Sequence, residues 1–120
     1  MAGARRRRLS RSAEFDRVYR EGRSHAGRHL VLYSFPREGA ADDEPRLGLS
    51  VGRKVGGAVE RNRVKRLLRE AFWQSEERVP AGHDFVVVAR AEAAELAERE
   101  GLAGIKSELD ELLEKAGPKK

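Results

Sequence analysis

RLGLSVGRKVGGAVERNRVKRLLREAF, residues 46–72, changes its hydrophobic period part-way along. Over 46–51, Leu47, Leu49 and Val51 alternate with Gly48 and Ser50, which is the period-two pattern of a strand. Its second face is nearly bare, so another part of the molecule can pack closely there. Gly52 to Gly57 then reads as a glycine-rich turn. From about residue 58 to 75 the apolar spacing becomes helical, and Val64, Leu67, Leu68, Ala71 and Phe72 fall in one arc of roughly 140°. Val86, Val87 and Val88, after the turn Pro80-Ala81-Gly82, supply a second, buried strand. Strand, helix and strand in succession set the layering of the fold.

Working outward, Ser12-Ala13-Glu14-Phe15 starts a short helix with Ser12 as N-cap, and Gly22 ends it. Residues 28–35 are rich in strand formers, and Pro36 to Pro45, with Asp42, Asp43 and Glu44, reads as an acidic loop. Residues 92–100 form a short polar helix closed by Gly101, and 103–116 an amphipathic helix with Ile105, Leu109, Leu112 and Leu113 on one stripe. The order α-β-β-α-β-α in 120 residues predicts one α+β domain, a two-layer α-β sandwich over residues 11–117. A basic flexible arm (1–10) and a tail (118–120) flank it.

No apolar run approaches the roughly 18 residues that span a bilayer, and Arg5 to Arg8 lead into Leu9-Ser10-Arg11-Ser12 instead of an apolar signal segment. A soluble chain without a signal peptide is expected. The absence of Cys excludes disulfide scaffolds, thiolate nucleophiles and zinc ribbons.

Charge is concentrated. The net charge is +5, but residues 1–30 and 46–70 each carry +6, while 31–45 and 91–120 each carry −3. Local density of one sign releases counterions from a polyanion, so two such blocks point to nucleic acid. On the central helix Arg61, Asn62, Lys65, Arg66 and Arg69 fill the arc opposite the core face, with Trp73 beside them and Arg63 at the far border near Glu70. An ordinary solvated helix intersperses acids at i,i+4; here only Glu60 and Glu70 are present. Arg binds phosphate bidentately and stacks on bases, and Asn reads a base edge or a 2′-hydroxyl. A membrane-lying helix would need for lipid the apolar residues that this one spends on the core.

Several features stay open on the residues alone. The glycine turn serves either close approach to an anion or a tight turn, and its spacing lacks the Gly-Lys-Ser/Thr of a nucleotide loop. Trp73 either stacks at the end of the basic face or covers the helix terminus. Phe15 shares a stripe with Val18 and Tyr19 and reads first as core.

Taken together, residues 46–72 resemble the signature of the bacterial ribonuclease P protein subunit, with Arg61-Asn62-Arg63, Lys65-Arg66 and Arg69-Glu70 as its most specific element. The resemblance extends to Glu14-Phe15 with Val18 and Tyr19, to Leu30-Val31-Leu32-Tyr33 and to Phe85 through Arg90, covering about residues 9–116. Gly52 and Gly57 stand where this family often has Ser and Asn, and Glu60 is unusual so near the cations.

The resemblance implies a sandwich like the second domain of a small-subunit ribosomal protein, with an uncommon left-handed β-α-β crossover around the basic helix. It implies a cytoplasmic, non-catalytic subunit that assists an RNA in removing the 5′ leader of precursor tRNA, one protein per RNA, with magnesium ions held mainly by the RNA. Arg53, Lys54, Arg61, Asn62, Arg63, Lys65, Arg66 and Arg69 would then face the catalytic RNA. Phe15, Tyr19 and Tyr33, with Arg17 and Arg28, would line a cleft for the single-stranded leader. The Arg5 to Arg8 arm would order on RNA.

No membrane partner and no protein-held metal are expected. His25, His29 and His83 form no plausible triad, and His25 and His29 straddle a glycine before a strand. A ribosomal RNA-binding protein and an autonomous metal-dependent nuclease are the alternatives.

Overall fold

Alternation in the strands sorts side chains onto two faces of one sheet, and the helices are divided between those faces. The computed structural model describes residues 8, 9, 12–37, 44–75, 79 and 82–117. Within them the order is α1 (Ser12–Glu21), β1 (Arg23–Ala26), β2 (Leu30–Pro36), β3 (Arg46–Ser50), α2 (Ala58–Gln74), β4 (His83–Ala89) and α3 (Ala93–Ala116). The sheet runs β1-β2-β4-β3. β1 pairs with β2, and β2 with β4, antiparallel. β3 pairs parallel with β4, placing Leu47 opposite Phe85 and Leu49 opposite Val87. Parallel neighbours need a crossover, and α2 is that crossover.

Leu30 and Leu32 of β2, Leu47 of β3, and Phe85, Val87 and Ala89 of β4 point to the face covered by α2 and α3. There they meet Val64, Leu68, Ala71 and Phe72 of α2 and Ile105, Leu109, Leu112 and Leu113 of α3. Fully buried side chains such as Phe72, Phe85 and Leu68 each contribute about 1.5–3 kcal/mol through area removed from water. The other sheet face is smaller: Val86 and Val88, with Tyr33 and Phe35, pack against Val18 and Phe15 of α1 and against Leu9. The bare face of β3 is filled as its composition predicts. A side chain at Gly48 would place its Cβ 2.6 Å from Phe15 Cζ, so the ring occupies the space the glycine leaves.

Three boundaries differ from the sequence reading. The strand expected over 28–35 begins at Leu30, because Arg28 and His29 belong to the turn before it. Arg23–Ala26 forms an additional strand; its sequence, RSHA, has no apolar alternation, and its place comes from backbone pairing with β2. The C-terminal pair follows the sequence reading: at Gly101 φ 61° and ψ −146° leave the helical region, so Ala93–Ala116 is two helices meeting at a kink. Arg8 and Leu9, assigned to the basic arm, are held on β3: Leu9 N–H donates to the Leu47 carbonyl at 3.0 Å, and Leu9 is buried. The rest of the arm before Arg8, most of the acidic loop and the tail 118–120 lie outside the described residues. Among the described residues, no helix is long and apolar enough to cross a membrane.

Candidate nucleic-acid interface

With Val64, Leu68, Ala71 and Phe72 turned inward, α2 leaves Asn62, Arg63, Arg66 and Arg69 exposed and Arg61 and Lys65 half-buried on its outer side. Arg53 and Lys54 are exposed in the preceding turn, which closes through Val55 N–H to the Gly52 carbonyl at 3.1 Å. Arg61 curls back, its Nε donating to the Gly57 carbonyl at 3.4 Å. Among the described residues, no ion pair engages Arg53, Lys54, Arg61, Arg63, Lys65, Arg66 or Arg69. Arg61 with Lys65, and Lys65 with Arg69, are like-charge i,i+4 neighbours, each pair costing about 0.2–0.5 kcal/mol in the free protein. A polyanion laid along the helix relieves that repulsion and gains phosphate contacts.

The small face of the sheet carries the aromatic group. Phe15 and Tyr19 stand one turn apart on α1 with ring centroids at 6.3 Å, and Tyr19 meets Tyr33 edge-on at 4.9 Å. Tyr19 is exposed, and Phe15 and Tyr33 are half-buried. The core reading of Phe15 is realised, since its ring fills the space over Gly48, and the same ring stands beside Tyr19. The guanidinium of Arg17 lies over the Phe35 ring at 5.7 Å. Arg28 is exposed in the turn between β1 and β2 and, among the described residues, makes no ring contact with this group.

One arginine that the sequence reading did not single out fixes this face. Arg46 donates from Nε and Nη2 to Asp84 Oδ1 and Oδ2 at 2.8 and 2.9 Å, and from Nη1 to Glu14 Oε2 at 2.9 Å, tying α1 to β3 and β4. Asp84 is only 1% exposed, and Arg37 Nε approaches its Oδ1 to 3.1 Å. The hydrogen bond to Asp84, with the negative charges of Asp84 and Glu14, raises the Arg46 pKa against the opposing effect of burial. Nothing local in the sequence marks Arg46, since its partners lie 38 and 32 residues away.

On the far side of α2 the sign reverses. Val59, Glu60 and Arg63 line a groove of about 570 Å³ together with Glu92, Glu95 and Glu98 of the α3 region. This acidic wall bounds the basic face, and Arg63 stands at the border. His29 takes a structural position: its Nδ1 meets Glu108 Oε1 at 2.7 Å, and the His29 and Leu30 N–H groups donate to Glu108 Oε2 at 2.8 and 2.7 Å. Among the described residues, no three His, Asp or Glu side chains converge to hold a metal.

Comparison with known proteins bears on the same residues. A family model described as Ribonuclease P matches residues 4–117. The ribonuclease P protein component of Halalkalibacterium halodurans is 48% identical over 89 residues, covering 74% of this chain and 73% of that protein. The corresponding protein of Shouchella clausii is 43% identical over 109 residues, covering 91% and 84%. The solved Staphylococcus aureus ribonuclease P protein superposes with a TM-score of 0.81 at 33% identity, over 95% of this chain and 98% of that one. The protein from Thermotoga maritima gives 0.79 at 32%, over 90% and 96%. The sheet order, the α2 crossover and the basic face thus occur in a chain that belongs to the bacterial ribonuclease P protein family.

Proposed function

We propose that this chain binds the catalytic RNA of ribonuclease P along the outer face of α2 and the 5′ leader of precursor tRNA along Phe15, Tyr19 and Tyr33, and so promotes removal of the leader. The observation that carries the reading is the row of cations from Arg53 to Arg69 without carboxylate partners among the described residues. Phosphates are its natural complement, and their neutralisation releases counterions. Arg53, Lys54, Arg61, Asn62, Arg63, Lys65, Arg66 and Arg69 form the RNA contact. The aromatic row suits a leader of varied sequence, because every base offers a face for stacking; Arg17 and Arg28 take its phosphates.

In this reading the hydrolytic groups and the magnesium ions belong to the RNA. A two-metal protein nuclease would need carboxylates converging beside its phosphate-binding groups. The protein positions the leader, screens phosphate repulsion and raises magnesium occupancy, one protein to one RNA, in the cytoplasm. Reconstitution with a bacterial ribonuclease P RNA at low magnesium tests this. Leader cleavage should rise on adding the protein; no gain, or cleavage by the protein free of RNA, overturns it.

A further inference from the structure

Glu14 and Val18 lie one turn apart on α1, and Gly22 lies one turn further, just past its end, so the three share the side of the helix that meets the sheet. α1 has ten residues, fewer than the roughly 12–15 that hold a helix on its own in water, and Val18 alone is fully buried. One apolar contact holds α1 down but leaves it free to roll about its axis. The two flanking contacts remove that freedom. Glu14 Oε2 accepts from Arg46 Nη1 at 2.9 Å. The guanidinium is itself fixed by Asp84, at 2.8 and 2.9 Å, because Arg46 and Asp84 are register partners on β3 and β4. At the far end a Cβ at Gly22 would stand 2.6 Å from the Ser34 carbonyl oxygen, so the chain there lies directly on β2.

We infer that Glu14 is a positioning residue for leader recognition: through Arg46 and Asp84 it sets the roll of α1, and with it the alignment of Phe15 and Tyr19 with Tyr33. The inference rests on the leader-binding role proposed for that aromatic row. Phe15 follows Glu14 directly, and Tyr19 stands one turn beyond Phe15, its ring centroid 4.9 Å from that of Tyr33. A roll of α1 carries both rings sideways, so the row that stacks bases stays in line only while Glu14 is held. Stability is not what singles out the pair. The side chains of Glu14 and Arg46 are 18% and 23% exposed, and a charged pair desolvated to that degree gains little over an apolar contact. Its hydrogen bond has a direction that an apolar contact lacks.

Glu14→Ala removes the acceptor for Arg46 Nη1 while preserving helix propensity, and Glu14→Gln keeps an acceptor oxygen in place. Each full-length variant is assembled with a bacterial ribonuclease P RNA, and the affinity of the holoenzyme is measured for precursor and for mature tRNA. Glu14→Ala should lower the preference for precursor about tenfold, within the range that one stacked base is worth. Glu14→Gln should restore it to within about threefold, since a neutral acceptor makes a weaker bond in the same direction. Affinity for the catalytic RNA and its salt slope should stay at their wild-type values, because α2 lies on the opposite face of the sheet. In a Tyr19→Ala background Glu14→Ala should cost only about threefold or less, since the ring it aligns is gone.

Glu14→Gln no better than Glu14→Ala, or an undiminished tenfold loss in the Tyr19→Ala background, would overturn the positioning role. So would equal weakening of precursor, mature tRNA and catalytic RNA, which marks a general folding fault. An unchanged preference in Glu14→Ala would strike this role and leave the proposed function standing. Full preference in both Tyr19→Ala and Tyr33→Ala would instead overturn the leader-binding row, and the role of Glu14 with it. If Glu14→Ala does not fold, Glu14→Leu, which keeps the side-chain bulk and removes the acceptor, enters the same comparison.

Discussion

Arg46 and Arg66 belong to the same basic stretch of sequence and differ little in local composition, yet they are placed in opposite electrostatic states. Arg46 is held by both oxygens of Asp84 and by Glu14, at the junction of α1, β3 and β4. Arg66 is exposed on α2 and, among the described residues, has no ion-pair partner. The carboxylates that neutralise the first come from distant parts of the chain, whereas on α2 Glu60 lies in the first turn beside the α3 groove and Glu70, exposed, forms no ion pair with Arg66 among the described residues. Charge available to a partner is therefore decided by where the fold delivers carboxylates, and a count of arginines along the chain overstates it at Arg46 but not along α2.

The sharpest way to break this contrast is Arg46→Met. Removing the cation leaves Asp84, 1% exposed, with Arg37 as its one remaining cation among the described residues, and stripping one partner from a buried pair costs about 3 kcal/mol of folding stability. Urea unfolding should show that loss, and a loss below about 1 kcal/mol would mean that Arg37 suffices. The sign with pH follows from the raised pKa: the stabilisation is present below the ordinary guanidinium value and is lost only as pH rises through the raised one. Wild-type protein should therefore keep the Arg46 contribution undiminished from neutral to moderately alkaline pH.

Tyr33→Ala examines the same face for function. Tyr33 is half-buried, and its ring meets Tyr19, so truncation removes one stacking surface at little cost to the core. A stacked base is worth about 1–3 kcal/mol, and roughly tenfold of the preference for precursor over mature tRNA should disappear. Equal weakening for both tRNA forms would remove the leader cleft from this face.

How far these two faces could be read from the sequence differs for a physical reason. α2 was legible almost to the residue, expected over 58–75 and found at Ala58–Gln74, because its apolar spacing and its cations are properties of one continuous segment. The close packing over Gly48 was legible as a vacancy in the strand, although nothing local identified Phe15 as the group that fills it. The Arg46 cluster and the triple acceptance by Glu108, 79 and 78 residues from its donors, had no local signal at all. Both are made by side chains that only the tertiary fold brings together. β1 was missed because backbone pairing, not side-chain pattern, makes it a strand.

Arg66→Ala supplies the converse of Arg46→Met. With no partner to lose and like charges nearby, stability should stay within about 0.5 kcal/mol of wild type. Catalytic-RNA binding should weaken, and the slope of log affinity against log salt should fall in magnitude by about one, the signature of one lost phosphate contact. A stability loss above about 1 kcal/mol would make Arg66 a structural residue and erase its difference from Arg46.

The smallest effect lies at the start of α2. Gly57 is the N-cap, with φ −74° and ψ −176°, and no side chain caps the helix. Glu60, three residues on, explains itself here: an acid in the first turn opposes the positive end of the helix dipole, so its presence near the cations serves the helix start. In Gly57→Asn the introduced carbonyl oxygen can accept from the first-turn N–H groups, worth a few tenths of a kcal/mol over glycine. The new Cβ would stand 3.1 Å from Glu60 Oε1, the end of a flexible side chain that yields easily. The melting temperature should rise by about 1–2 °C, with the salt slope for catalytic RNA unchanged, which would leave the RNA contact at the helix start to side chains alone. A slope lower by about one would instead mean that the cap had displaced a phosphate from the helix N-terminus, and backbone N–H groups between Lys54 and Arg61 would join the side chains in the contact.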